Sequence, residues 1–189
     1  MQSLKITLTA ASLLAFSAAN AFAGDRQPFQ LSSPQLQAEQ NIPPTFEFNG
    51  FGCQGDNQSP QLNWKNAPQG TKSFALSVYD PDAPTGSGFW HWYVVNIPAQ
   101  VNELTANAGA IDSSTLPAGA FQLKTDYGYH GWGGVCPPEG DKAHRYIFTV
   151  HALNVAKLDV NQDTTTALGG FLVNAHTIDK ASFTAYYRR

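Results

Sequence analysis

The sequence predicts an all-β fold, a β-sandwich with minor helical decoration. Four runs have strand composition and period, long breaker-rich loops separate them, and a single late segment suits a helix. Ser73 to Asp80 alternates, with Phe74, Leu76, Val78 and then Asp80 on one face. Residues 90–97 form an aromatic and β-branched run that is apolar on both faces, and alternation groups His91 with Tyr93, Val95 and Ile97. His144 to Leu153 is the third strand, with His144 and Tyr146 on one face and Arg145 on the other. Residues 181–187 close the chain with Phe183, Ala185 and Tyr187 in phase. The helix is expected over residues 164–178, where Gly169 and Gly170 weaken it by about 1 kcal/mol each relative to Ala.

The connections are rich in breakers. Residues 50–60 hold three glycines with Asp and Asn before Pro60, and residues 127–140 hold five glycines and two prolines, so neither stretch is a helix interior.

The amino-terminal residues read as an address. Lys5 precedes a run of apolar and small residues over 6–19, and Ala21-Phe22-Ala23 fits a cleavage site, so a signal peptide over residues 1–23 is expected. Thr7, Thr9, Ser12, Ser17 and Asn20 interrupt that run, which argues against a spanning helix of about 20 apolar residues. The mature chain, residues 24–189, is then 166 residues long, suited to one domain, exported to the periplasm and open to release from it. No later stretch is apolar enough to cross a bilayer as a helix. With 10 basic and 14 acidic residues, a net charge of −4, it has no electrostatic footprint for nucleic acid. Cys53 and Cys136, an even number in an exported chain, are expected to form a disulfide; two buried free thiols are the alternative.

Three short segments place polar groups where the surrounding pattern demands burial. In Asp80-Pro81-Asp82-Ala83-Pro84 an acid continues the core phase of its strand, so it needs a hydrogen-bonding or cationic partner. His91 opens an apolar strand in Trp90-His91-Trp92-Tyr93, where a satisfied core histidine is the plainer reading. Gly133-Gly134-Val135-Cys136-Pro137-Pro138 feeds His144-Arg145-Tyr146, and a glycine-rich loop beside His and Tyr suits anion binding through backbone N–H groups and side-chain donors.

Together with His91-Trp92 leading into Val94-Val95-Asn96-Ile97-Pro98, these segments resemble, in order and spacing, the signatures of the phosphatidylethanolamine-binding proteins, also called Raf-kinase-inhibitor-like proteins. The resemblance spans nearly the whole mature chain. It implies a Greek-key β-sandwich with a small pocket for phosphate-like anions or phosphorylated headgroups. Carried over by position, the ligand-binding residues are Asp80, His91, Gly134, Pro137, His144 and Tyr146, with Asp82 and Pro84 shaping the wall. The peptide before Pro84 is expected to be the family's cis bond, and a homodimer is expected from bacterial members. The sequence departs from the common bacterial loop at Val135, where a proline often stands, and it lacks a counterpart of the animal proteins' last helix.

Among functions, non-enzymatic binding leads, with no cofactor implied and Asp80 setting a histidine's tautomer. A hydrolase is less favoured because no Gly-x-Ser-x-Gly elbow occurs and Cys136 is a nucleophile only if unbridged. A metal held by His91, His144 and Asp80 lacks supporting local spacing. The other alternative is a released protein-interaction module that inhibits a kinase or modulates host signalling, with Phe89, Trp90, Trp92 and Trp132 as candidate interface aromatics or core.

Overall fold

A computed structural model describes residues 26–112 and 114–189; the expected signal segment lies outside them. The strands are β1 (Gln30–Ser32), β2 (Asn49–Gly50), β3 (Cys53–Gln54), β4 (Leu62–Lys65), β5 (Ser73–Asp80), β6 (Phe89–Pro98), β7 (Glu103–Leu104), β8 (Phe121–Gln122), β9 (His144–Leu153) and β10 (Thr177–Tyr187). Among the described residues one α-helix, α1 (Thr166–His176), precedes the last strand, and a 3-10 turn covers Pro44–Phe46.

The main sheet is antiparallel, ordered β10-β9-β5-β6-β8, and a smaller antiparallel sheet runs β1-β4-β7. Leu31, Leu62, Trp64 and Leu104 of the small sheet share one core with Phe74, Leu76, Val78, Val94, Phe148 and Val150 of the large one. The fold is therefore the expected all-β sandwich. The outer face of the main sheet buries a second cluster, including Ala75, Tyr93, Val95 and Leu123, against Val173 of α1. Thr165 caps that helix, its Oγ1 accepting the Leu168 N–H at 3.2 Å.

Strict alternation fails in β6. His91 is an extra residue opposite the step between Val78 and Tyr79, and Asn96, at φ 58°, takes part in a second irregularity opposite Phe74 and Leu76. The first bulge turns His91 to the same side as Trp92, so both rings meet Trp132 on the core side. The second returns Ile97 to the core side with Val94, while Tyr93 and Val95 face the helix. The grouping of His91 with Tyr93 and Val95 is corrected accordingly. The last strand is longer than its periodic part, beginning at Thr177 where α1 ends.

His151, on the outer face of β9, has its pKa pushed down to about 4 by burial, with Lys180 adding to the shift. Between that value and an unfolded value near 6.5 the unfolded chain binds the extra proton, so stability is full above pH 6.5 and is lost as pH falls. Acidification from pH 7 to 5 is expected to remove about 2 kcal/mol through His151, with buried His91 acting in the same direction. Urea unfolding at the two pH values checks this. His151→Gln should reduce the difference by about that amount, and an unchanged difference contradicts it.

Candidate functional site

The carboxyl end of β5 lies beside the start of β9 and of β6, which brings Asp80, His91, His144 and Tyr146 to one end of the main sheet. With Pro84 and Pro137 they line a pocket of about 160 Å³. Asp80 is buried and accepts three hydrogen bonds. Its Oδ2 takes the His144 Nδ1–H at 2.8 Å, and its Oδ1 takes the backbone N–H groups of Asp82 at 2.8 Å and Ala83 at 3.1 Å. Those two bonds turn the chain through the Asp-Pro-Asp-Ala-Pro segment as an Asx-type turn. The chain reverses with a trans Ala83–Pro84 peptide, so the expected cis bond is corrected: the carboxylate supplies the turn instead.

His91 is buried and donates its Nδ1–H to the Gly133 carbonyl at 2.8 Å, while the Gly133 N–H returns to the His91 carbonyl at 2.9 Å. A carbonyl only accepts, so in the neutral ring Nε2 carries the lone pair. Burial holds the His91 pKa below its ordinary value, the Gly133 carbonyl and Asp80 opposing that shift. At neutral pH the imidazole is uncharged. Its ring meets Tyr146 edge-on at 5.1 Å. The Tyr146 hydroxyl is buried and makes no hydrogen bond of normal geometry among the described residues; the Cys136 backbone N–H faces its oxygen, and the O–H itself has no acceptor. Burial, reinforced by Asp80, pushes that phenol well above the usual range, so it remains a neutral donor.

His144 completes the set. Its Nε2 lies 3.4 Å from the half-exposed carboxylate of Asp141, which occupies the solvent edge of the ring. Both Nδ1 atoms of the two histidines are thus engaged within the protein. Among the described residues no group of three or more His, Cys, Asp and Glu side chains is arranged to hold a metal ion.

Asp82 and Gly134 stand outside the pocket lining. Asp82 forms a bidentate pair with Arg145, at 2.8 and 2.9 Å, and also accepts the Arg145 backbone N–H at 3.0 Å. The guanidinium holds its carboxyl well below the usual carboxylate range. Asp82 therefore ties the turn to β9 and acts on the pocket through position alone.

Gly134 contributes no free donor: its N–H goes to Asn57 Oδ1 at 2.7 Å and its carbonyl takes the Tyr127 hydroxyl at 2.6 Å. The Val135 N–H is likewise spent on the Phe46 carbonyl. The expected nest of free N–H groups is corrected, because these glycines serve close approach. A Cβ at Gly134 would lie 2.4 Å from the Phe48 nitrogen, and one at Gly133 would lie 2.0 Å from the Tyr127 ring.

Cys53 and Cys136 form the expected disulfide, which joins the loop carrying Phe51 to the wall carrying Pro137. Phe51 is 73% exposed at the pocket mouth and its ring lies nearly parallel to Tyr127 at 5.9 Å. Sequence reasoning missed Phe51, Tyr127 and Asn57. Of the candidate interface aromatics, Trp92 and Trp132 are core residues, Trp90 packs on Tyr79 outside the pocket, and Phe89 lines it.

A sandwich with this end-of-sheet pocket defines a class. A profile described as phosphatidylethanolamine-binding protein matches residues 32–188. The chain is 48% identical over 181 residues to the UPF0098 protein YbcL of Escherichia coli K12, covering 96% of this chain and 97% of that one. The UPF0098 protein YbhB of the same organism is 46% identical over 158 residues, covering 84% and 99%. The crystal structure of E. coli YbcL, described as a new member of the mammalian PEBP family, superposes with a TM-score of 0.84 at 50% identity, covering 85% of this chain and 98% of that one. The chain belongs to the phosphatidylethanolamine-binding protein family.

Proposed function

We propose that the protein is an exported, non-enzymatic binding protein whose pocket takes a small phosphate-like anion or phosphorylated headgroup. The observation that carries this is the Tyr146 hydroxyl, a buried donor without a partner at the junction of two imidazoles. A buried unsatisfied hydroxyl is costly, and a ligand oxygen at that point relieves it. Neutral His91 presents an acceptor there, which suits a ligand that still carries one proton or an ester oxygen bearing N–H or O–H groups nearby. The cationic bond falls to His144, whose ring Asp80 orients, while the exposed Asp141 carboxylate yields its edge to the incoming anion.

The Cys53–Cys136 bridge supports an oxidising compartment, and with the amino-terminal address it supports the periplasm. Cys136 is bridged and Thr85, the aliphatic hydroxyl of the pocket lining, donates to the Gly88 carbonyl, while burial keeps the Tyr127 and Tyr146 phenols protonated, which supports binding over catalysis.

Calorimetric titration with inorganic phosphate at pH 6, 7 and 8 tests the reading. Affinity is expected to weaken as pH rises, because an imidazolium that binds the anion must take up a proton. Tyr146→Phe is expected to lower affinity about tenfold through one lost hydrogen bond while leaving thermal stability intact or raised, since it deletes an unpaired polar group. Unaltered affinity in that variant contradicts the proposal.

A further inference from the structure

The outer face of the main sheet carries a second cleft, of about 430 Å³, beneath α1 and on the opposite face of the sheet from the sandwich core. Its floor is a row of hydroxyls. Tyr93 of β6 pairs with Ser77 of β5, and Ser77 pairs with Thr149 of β9, so three adjacent strands present three hydroxyls in line. At the usual strand spacing the row spans about 10 Å. Tyr93 and Ser77 are 2% and 5% exposed, they face the cleft, and neither side chain has a hydrogen-bond partner among the described residues. No protein group pairs with either hydroxyl and both oxygens open onto the cleft, so each is free to donate to and accept from a ligand there.

The roof gives an independent sign. Gly169 is required by packing, since a Cβ there would lie 2.2 Å from Leu123 Cδ1. Gly170 is under no such constraint: its Cβ would meet nothing closer than the Tyr93 hydroxyl, at 3.7 Å. A glycine inside a helix weakens it. At Gly170 the bare backbone leaves the space above Tyr93 open.

The lining sets the class of ligand. Trp90 packs on Tyr79 at 4.4 Å and on Tyr93 at 5.3 Å, an aromatic wall at one end of the row. At the other end stand His151, neutral at physiological pH, and Lys180, which faces it across the β9–β10 pair. The lining contains no carboxylate, and Lys180 has no ion-pair partner among the described residues. Hydroxyls that both donate and accept, an aromatic wall and one spare cation suit a polyhydroxylated ring with a single negative charge.

We propose that the cleft between α1 and the outer face of β5, β6 and β9 is a second binding site, for a saccharide of the uronic-acid type. It is separate from the anion pocket at the sheet end, with which it shares no lining residue. Titration of the ¹⁵N-labelled protein with glucuronate, glucose and inorganic phosphate tests it by chemical-shift mapping. Glucuronate is expected to give saturable millimolar shifts at Ser77, Thr149, Gly170 and the Trp90 indole N–H, with glucose weaker and phosphate without effect there.

Gly170→Leu fills the cleft and is expected to weaken glucuronate binding at least tenfold. Ser77→Ala with Thr149→Val, which removes hydroxyls at nearly constant volume, should do the same should the bulkier variant not fold. His91→Ala is expected to leave these shifts unchanged, which separates this site from the sheet-end pocket. No response to either sugar, an equal response to phosphate, or glucuronate binding that survives both sets of substitutions overturns the proposal.

Discussion

Asp80→Ala is expected to lower stability by about 3–5 kcal/mol, because it removes one half of a buried charge-assisted pair. Three donors lose their acceptor together: the His144 Nδ1–H and the backbone N–H groups of Asp82 and Ala83. Asp80 and His144 are each about 2% exposed, so the three donors are left in a largely desolvated site that only water entering from the pocket can serve. At about 3 °C per kcal/mol for a domain of this size, melting should fall by roughly 10 °C. Asp80→Asn is the informative partner. Its amide oxygen keeps both backbone bonds, and its NH₂ forces Nδ1 of His144 to accept instead of donate. That variant is expected to fold with a loss nearer 1–2 kcal/mol and to bind phosphate weakly, because the imidazole is no longer held in the tautomer the carboxylate selects. A melting temperature unchanged by Asp80→Ala contradicts the pairing.

Removing the Cys53–Cys136 bridge is the second large effect. The bonded residues are 83 apart in sequence, and in the chain-entropy model a loop of that length gives about 4.5 kcal/mol of stabilisation. The local consequence is separable from the global one. The bridge ties Phe51 to the Pro137-Pro138 wall, and Arg189 spans the same two loops, its Nε donating to the Pro137 carbonyl at 2.7 Å and its guanidinium to the Phe51 carbonyl at 3.2 Å. Reduction should therefore lower the melting temperature by roughly 10–15 °C yet leave the loops docked in part. Hydrogen exchange should rise at residues 49–54 and at Cys136, and rise further in Arg189→Ala. Equal melting of the oxidised and reduced protein contradicts this account.

The strands were legible because hydrophobic period decides which residues enter a sheet. Ser73–Asp80 and His144–Leu153 have the bounds that alternation gives them. The faces of β6 were not legible, since a bulge inserts one residue and leaves no mark in composition. His91 and Asn96 each shift the phase, and neither is a glycine. The site residues drawn from strand ends, Asp80, His144 and Tyr146, meet as the alternation of β5 and β9 requires. The loop residues divided differently. Gly134 looked like an anion cradle because glycine-rich loops expose N–H groups, but its function here is to let two backbones touch, and Asn57, 77 residues away, takes its donor. Asp82 looked like pocket wall, and its partner Arg145 is visible only once β5 and β9 are paired. Such long-range pairings carry no local signature.

The proposed function requires that His144 and the Tyr146 phenol donate to an anion and that neutral His91 accept from it. Its most direct test is a phosphorus NMR titration of the protein with phosphate and phosphoethanolamine, run beside His91→Ala and His144→Ala. Saturable line broadening or shift in the native protein, lost in both variants, is the predicted result. Absence of binding in the native protein, or binding that both variants retain, would contradict it.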